Sequence, residues 1–284
     1  MKITNKMGLP EALVQAVSTQ KHNKEGQYSA TTLLKGACET VLTKRHWDEI
    51  EVDASESIWT VFGTATHSIF EKQKDNTFKE ELFSVPVGNS IVTGRVDSYD
   101  LETETIVDWK TASVWKVQFN DFSDWYKQGL VYAWLMKKSG LNVKRCKFIA
   151  LLKDHSKSKA RQSAEYPQSP VYVYQFDVTD KALKEIEDFI NKKVWEIELA
   201  EKLPDYKLIP CTEEERWATA DKWAVMKDGR KTALKLCDSE AEAEEYKATK
   251  GGDYIEFRQG ESKKCLDGYC NCRNFCPFYQ NMKK

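Results

Sequence analysis

The sequence predicts an α/β chain, with a central mixed sheet flanked by helices, a small ββαβ subdomain and a cysteine-rich C-terminal segment. Three observations carry that expectation. Strand-like runs interleave with stretches of helical periodicity as far as Pro204, the texture changes from Cys211 onward, and four of the eight cysteines crowd into "CLDGYCNCRNFC" at residues 265–276. A chain of 284 residues has room for one sizeable core with appended pieces. The expected divisions are residues 1–210, 211–262 and 263–284.

After a short amphipathic start, "YSATTLLKGACETVL" reads as a helix with Ser29 as N-cap, and it carries Cys38. A second helix, "SIWTVFGTATHSIFEKQ", puts His67 and Glu71 on one face because they are four residues apart. Extended runs at 78–87, 90–99 and 104–110 follow, with Gly88-Asn89 and "DLETE" as turns, and read as an antiparallel meander. "FSDWYKQGLVYAWLMKKSG" is a periodic helix closed by Gly140, with Gln128 and Tyr132 four apart. Two more strands, "KRCKFIALLK" and "SPVYVYQFDV", flank a polar loop, and "TDKALKEIEDFINKKVWEIELAEK" is a long amphipathic helix ending before Pro204. Beyond Cys211, a hairpin pattern around Asp228-Gly229, the acidic helix "SEAEAEEYKAT" and the strand "YIEFRQG" form the ββαβ piece.

The balance of 43 basic against 44 acidic residues excludes a protein that grips nucleic acid by overall positive charge. The clearest local basic patch is Lys153, Lys157, Lys159 and Arg161, in the polar loop, and these are the candidate phosphate contacts. No run has the length of a membrane span, and the first residues lack the apolar stretch of a secretory signal, so a cytoplasmic protein with no membrane partner is expected. In that compartment crowded cysteines point to metal or cluster ligation rather than disulfides.

"TETIVDWKTAS", residues 103–113, sets two opposite charges into a core strand. Asp108 and Lys110 are two apart and share a face, while Val107 and Trp109 take the other. If the preceding strand turns back through "LETE", Asp97 falls opposite Asp108. Two adjacent carboxylates repel unless a cation lies between them, and Mg²⁺ with oxygen ligands, water and a substrate phosphate satisfies both. Lys110 then stands where it can neutralise charge building on a phosphorus centre.

The ordered set "GTATHSIFE", "GRVD", "DWK" and "QGLVY", spanning residues 63–132, resembles the PD-(D/E)xK nuclease superfamily in its RecB-like branch, which includes phage exonucleases. Val96 stands where that motif has proline, and Asp108 replaces the commoner glutamate. The resemblance implies a restriction-endonuclease-like sheet and one or two Mg²⁺ or Mn²⁺ ions. His67, Asp97 and Asp108 would bind metal with the Trp109 carbonyl, Lys110 would be the catalytic lysine, and Gln128 and Tyr132 would order the lysine and DNA. It implies phosphodiester hydrolysis by metal-activated water. Glu71 is either an outer ligand or a charge at the cleft rim.

The cysteine spacing, Cys-x4-Cys-x-Cys-x3-Cys, is too tight for a common zinc ribbon, although four adjacent thiolates can close a zinc site. The segment is also similar to the iron–sulfur nucleases of the RecB-like branch. That resemblance implies a 4Fe-4S cluster on Cys38, Cys265, Cys270 and Cys276, with Cys272 spare and zinc as the alternative. Cys146, Cys211 and Cys237 then read as ordinary buried residues. Likeness to phage-encoded members implies an exonuclease that processes DNA ends for recombination beside a single-strand annealing protein, in a bacterial host. The competing readings are a restriction-type endonuclease and a non-catalytic metal-cluster DNA-binding module.

Overall fold

In the computed structural model, which describes residues 1–18 and 24–282, the chain divides into two units, Met1–Pro204 and Asp205–Lys284. The first begins with β1 (Lys2–Thr4), α1 (Glu11–Val17), β2 (Gln27–Ser29), α2 (Ala30–Leu33), α3 (Ala37–Arg45) and β3 (Glu51–Asp53), with β1 and β3 paired in parallel. It continues through α4 (Ile58–Glu71), β4 (Thr77–Val87), β5 (Ser90–Asp100), β6 (Thr105–Ala112), α5 (Val114–Gln118) and α6 (Ser123–Lys138). β7 (Arg145–Leu152), α7 (Lys157–Gln162), β8 (Val171–Asp177) and α8 (Asp180–Ala200) complete it.

Strand β5 organises the sheet. β4 runs antiparallel along one edge, from Thr77↔Asp100 to Val87↔Ser90. The other edge is divided between β2, parallel at residues 91–93, and β6, antiparallel at residues 98–100. β6 then pairs with β7 in parallel, and β7 with β8 antiparallel. The central sheet is therefore mixed and flanked by helices, as the sequence predicts. Residues 94–97 of β5 face the interval between β2 and β6, where among the described residues no strand pairs with them on that edge.

Local sequence explains how the layers close. Cys146, Phe148, Ala150 and Leu152 alternate into the core from β7, and Gly129 lets α6 approach them, since a Cβ there would lie 3.0 Å from the Phe148 and Phe176 rings. Gly94 does the same on β5, where a Cβ would meet Leu135 at 2.6 Å and Tyr132 at 2.8 Å. α8 buries Ala182, Ile186, Ile190, Val194 and Ile197 at helical spacing, each large side chain contributing roughly 1.5–3 kcal/mol. Its N-cap Thr179 accepts from Ala182 N at 3.1 Å.

Two expectations change. The helix expected from Ser29 is two helices: Ser29 caps α2, but the chain breaks at Gly36, whose extended backbone (φ −67°, ψ 147°) begins α3. The polar loop expected after β7 contains a helical turn, α7, capped by Ser156.

The second unit holds β9 (Lys222–Met226), β10 (Lys235–Cys237), α9 (Glu240–Lys250) and β11 (Tyr254–Arg258), then α10 (Lys263–Leu266) and α11 (Pro277–Met282). β9 lies between β10 and β11, both antiparallel to it. Val225, Cys237 and Ala243 form its small core, with Trp223, Leu234, Tyr246 and Ile255 packed around them. Among the described residues, no helix is long and apolar enough to cross a membrane.

Candidate metal and phosphate site

The β5–β6 ladder runs from Asp100↔Thr105 to Ser98↔Val107 and ends there. Asp97 and Asp108 are the next position in that register, where the sequence expects them face to face. In place of a ladder bond, Asp97 Oδ2 accepts a hydrogen bond from Trp109 N at 2.9 Å. Helix α4 brings His67 to the same carboxylate, with Nδ1 3.3 Å from Asp97 Oδ2. The hydrogen bond to Asp97 holds the imidazole above its ordinary pKa against the effect of burial, and the charges of Asp97 and Asp108 add to it.

Asp108 is 1% exposed. Burial pushes its carboxyl up to about 6, an effect that the Lys110 charge partly offsets and Asp97 reinforces. Lys110 Nζ is ion-paired with Asp108 Oδ1 at 2.5 Å, and among the described residues that oxygen has no hydrogen-bond partner. The ammonium also sits 5.5 Å from the centre of the Phe148 ring. A buried carboxylate oxygen without a donor, beside a second carboxylate and an imidazole, is a place where a cation would be stabilised.

Gln128 and Tyr132 are buried on α6, and Gln128 Nε2 donates to the Tyr132 hydroxyl at 2.8 Å. Burial, followed by the charge of Asp108, holds the phenol protonated far above its usual range. The pair thus lines the Asp108 side of the site. Glu71 is exposed.

Sequence reasoning missed Glu80. It lies on β4 between the paired positions Lys79↔Ser98 and Glu81↔Val96, directly across from Asp97. Its φ of +53° is left-handed, which a non-glycine residue adopts at a cost of about 1–2 kcal/mol. One donor atom each from His67, Glu80 and Asp97 lies within 4.8 Å of the others. Burial raises the Glu80 carboxyl, and the charges of Asp97 and Glu71 raise it further. The signal was available: in a hairpin turning at Gly88-Asn89, residues 80 and 97 are equidistant from the turn.

The basic residues do not act as one loop. Lys153 lies 3.9 Å over the exposed Trp59 ring of α4. Lys157, Lys159 and Arg161 are exposed on α7.

In the second unit Cys265, Cys270 and Cys272 are buried and Cys276 partly so. Cys270 Sγ and Cys272 Sγ are 3.5 Å apart. Burial pushes the Cys265 thiol up to about 11, and the charges of Cys270, Cys276 and Cys211 add to this, with Arg216 opposing. Cys211 is therefore not an ordinary buried residue. It is half-buried, and the turn after it is tied to the cysteine segment by Arg216 N to Thr212 O and Lys264 N to Arg216 O, both at 3.0 Å. Cys146 and Cys237 are core residues, and Cys38 is buried in the first turn of α3. Arg273 Nη1 donates to the carbonyls of Cys265 and Leu266 at 2.9 and 2.8 Å, which fixes the cysteine turn.

No family model and no curated protein matches the chain. It is similar in structure to SSO0001 at 17% identity and a TM-score of 0.41, covering 63% of this chain and 81% of that one. It is similar to the alkaline exonuclease LHK-Exo of Laribacter hongkongensis at 13% identity and a TM-score of 0.40, covering 62% and 90%. It is also similar to a phage-related exonuclease of Haemophilus somnus at 13% identity and a TM-score of 0.30, covering 60% and 75%.

Proposed function

We propose that the chain is a divalent-metal-dependent deoxyribonuclease, working on DNA ends as an exonuclease. The observation that carries this reading is the buried Asp108, with one oxygen lacking a hydrogen-bond donor, set beside Asp97, His67 and Lys110. This donor set of carboxylate oxygens and one imidazole suits a hard cation such as Mg²⁺ or Mn²⁺. His67, Asp97, Asp108 and the Trp109 carbonyl would hold it. When bound, the cation would supply Lewis-acid polarisation of the phosphate and a water of lowered pKa.

The remaining chemistry belongs to side chains. Trp109 N orients the Asp97 carboxylate, and Asp97 in turn fixes the imidazole of His67. Lys110 places a positive charge where negative charge gathers on the scissile phosphate. Tyr132 and Gln128 close the wall behind Asp108 with a satisfied hydrogen bond, keeping the site's dielectric low and Lys110 in place. Lys153, Lys157, Lys159 and Arg161 would hold the DNA backbone, and the exposed Trp59 offers a ring for a frayed base.

For the cysteines, the proposal rests on the sequence resemblance and on the cluster of thiols around Cys265. Cys38, Cys265, Cys270 and Cys276 ligate a 4Fe-4S cluster with a structural role, zinc being the alternative. A phage-type recombination setting beside a single-strand annealing protein is part of the same proposal. Linear duplex DNA with open ends, compared with the same duplex capped by hairpins, tests the exonuclease reading. Digestion of open DNA alone, stopped by EDTA, is expected. Equal cutting of capped DNA would make the chain an endonuclease.

A further inference from the structure

The hairpin of β4 and β5 carries one residue whose backbone departs from the strand conformation. All positions from Thr77↔Asp100 to Val87↔Ser90 pair in register except the position of Glu80 and Asp97, which is where Glu80 turns left-handed. Arg95 Nη1 donates to the Glu80 carbonyl at 2.7 Å and holds the distorted backbone from the neighbouring strand. Distorted in this way, β4 gathers a Glu80 carboxylate oxygen, a His67 ring nitrogen and an Asp97 oxygen within 4.8 Å of one another. Among the described residues the neighbouring cations bind elsewhere: Lys79 Nζ donates to the Phe70 carbonyl and Arg95 to the Glu80 carbonyl rather than to its carboxylate. Independently, the buried Asp108 next to this group has an oxygen without a hydrogen-bond donor. Glu80 therefore brings a third carboxylate to the site, on the side of Asp97 that carries His67.

We propose that Glu80 is a ligand for a second divalent cation, which it holds with His67, the imidazole then serving this cation rather than the one at Asp108, while Asp97 is shared between the two. This rests on the nuclease reading and deepens it, since two cations sharing a carboxylate suit cleavage of a phosphodiester, where entering and leaving oxygens both need charge neutralised. It also accounts for a left-handed glutamate in mid-strand: the distortion is retained because it aims the carboxylate at Asp97.

Calorimetric titration of the metal-free chain with Mn²⁺, without DNA, tests it. Two sites per chain are expected in the wild type. Glu80→Gln should remove one site or weaken it by at least about tenfold while leaving the other. Glu80→Gly separates ligation from backbone effects: relief of the left-handed strain should raise the melting temperature of the metal-free protein, yet Mn²⁺ binding should fall as in Glu80→Gln. Unchanged Mn²⁺ stoichiometry and affinity in both variants would overturn the role of Glu80 and leave the nuclease reading standing. A wild type that binds no Mn²⁺ would overturn both.

Discussion

The site on the central sheet draws His67 from α4, Asp97 from β5, and Asp108 and Lys110 from β6, whereas the cysteine segment takes its thiols from residues 265–276, with Cys211 brought alongside by a bonded turn. Register assembles the first, and short-range chain geometry the second. Their electrostatics differ accordingly. Carboxylates drawn into a sheet lose solvation and repel, as the raised pKa of Asp108 records, while a protonated thiol is readily buried. Metal removal should therefore relieve no strain in the cysteine segment but expose its lack of core, and in the sheet site it should leave the fold intact and the charges uncompensated.

The largest expected effect lies in the second unit, whose core is small. Under the iron–sulfur proposal Cys265→Ser should release the cluster and lower the melting temperature, as followed by calorimetry and metal analysis. The choice between ligand sets sharpens the contrast: under the iron–sulfur proposal Cys38→Ser bleaches brown, anaerobically purified protein and Cys272→Ser does not. Zinc retained in Cys38→Ser and lost in Cys272→Ser would reverse that assignment.

A smaller effect is expected at α7. Neutralising Lys157, Lys159 and Arg161 together should lower the logarithmic salt slope of duplex binding by up to about 0.9 per lost phosphate contact. An unmoved slope would make α7 solvated surface.

The smallest effect is the pH dependence of the sheet site. Folded Asp108 holds its proton up to about pH 6, tighter than an unfolded aspartate, so its contribution to the stability of the metal-free protein is present in acid and lost as pH rises from about 4 to about 6. Asp108→Asn should flatten that part of the stability curve. The raised His67 contributes stability that is complete below its ordinary pKa and is lost as pH rises through its raised value. Cations compete with both protons, so Mn²⁺ affinity should rise over the same interval, which a titration at several pH values measures.

The mixed sheet and the β4–β5–β6 meander were legible because strand periodicity and short turns determine them. The expectation that Asp97 lies across from Asp108 falls one position beyond the end of the ladder at Ser98↔Val107, where Asp97 instead accepts from Trp109 N, a detail no local pattern carries. Glu80 was readable from the hairpin register, which sets it opposite Asp97, but its left-handed backbone was not, since alternation rules do not anticipate it. Cys211 is half-buried rather than buried, because the turn after it is bonded to Lys264, more than fifty residues along the chain, which no local pattern carries. The break at Gly36 was readable from glycine's helix propensity and was overridden by the apolar pattern around it.

Under the nuclease proposal Lys110, paired with a buried carboxylate, serves charge development at a phosphate rather than packing. Release of label from end-labelled linear duplex DNA in Mg²⁺, by wild type and Lys110→Ala with matching circular dichroism, tests it most directly. The account predicts EDTA-sensitive release by the wild type and a loss on the order of 10²-fold or more in the variant. Release at the wild-type rate by Lys110→Ala would contradict it.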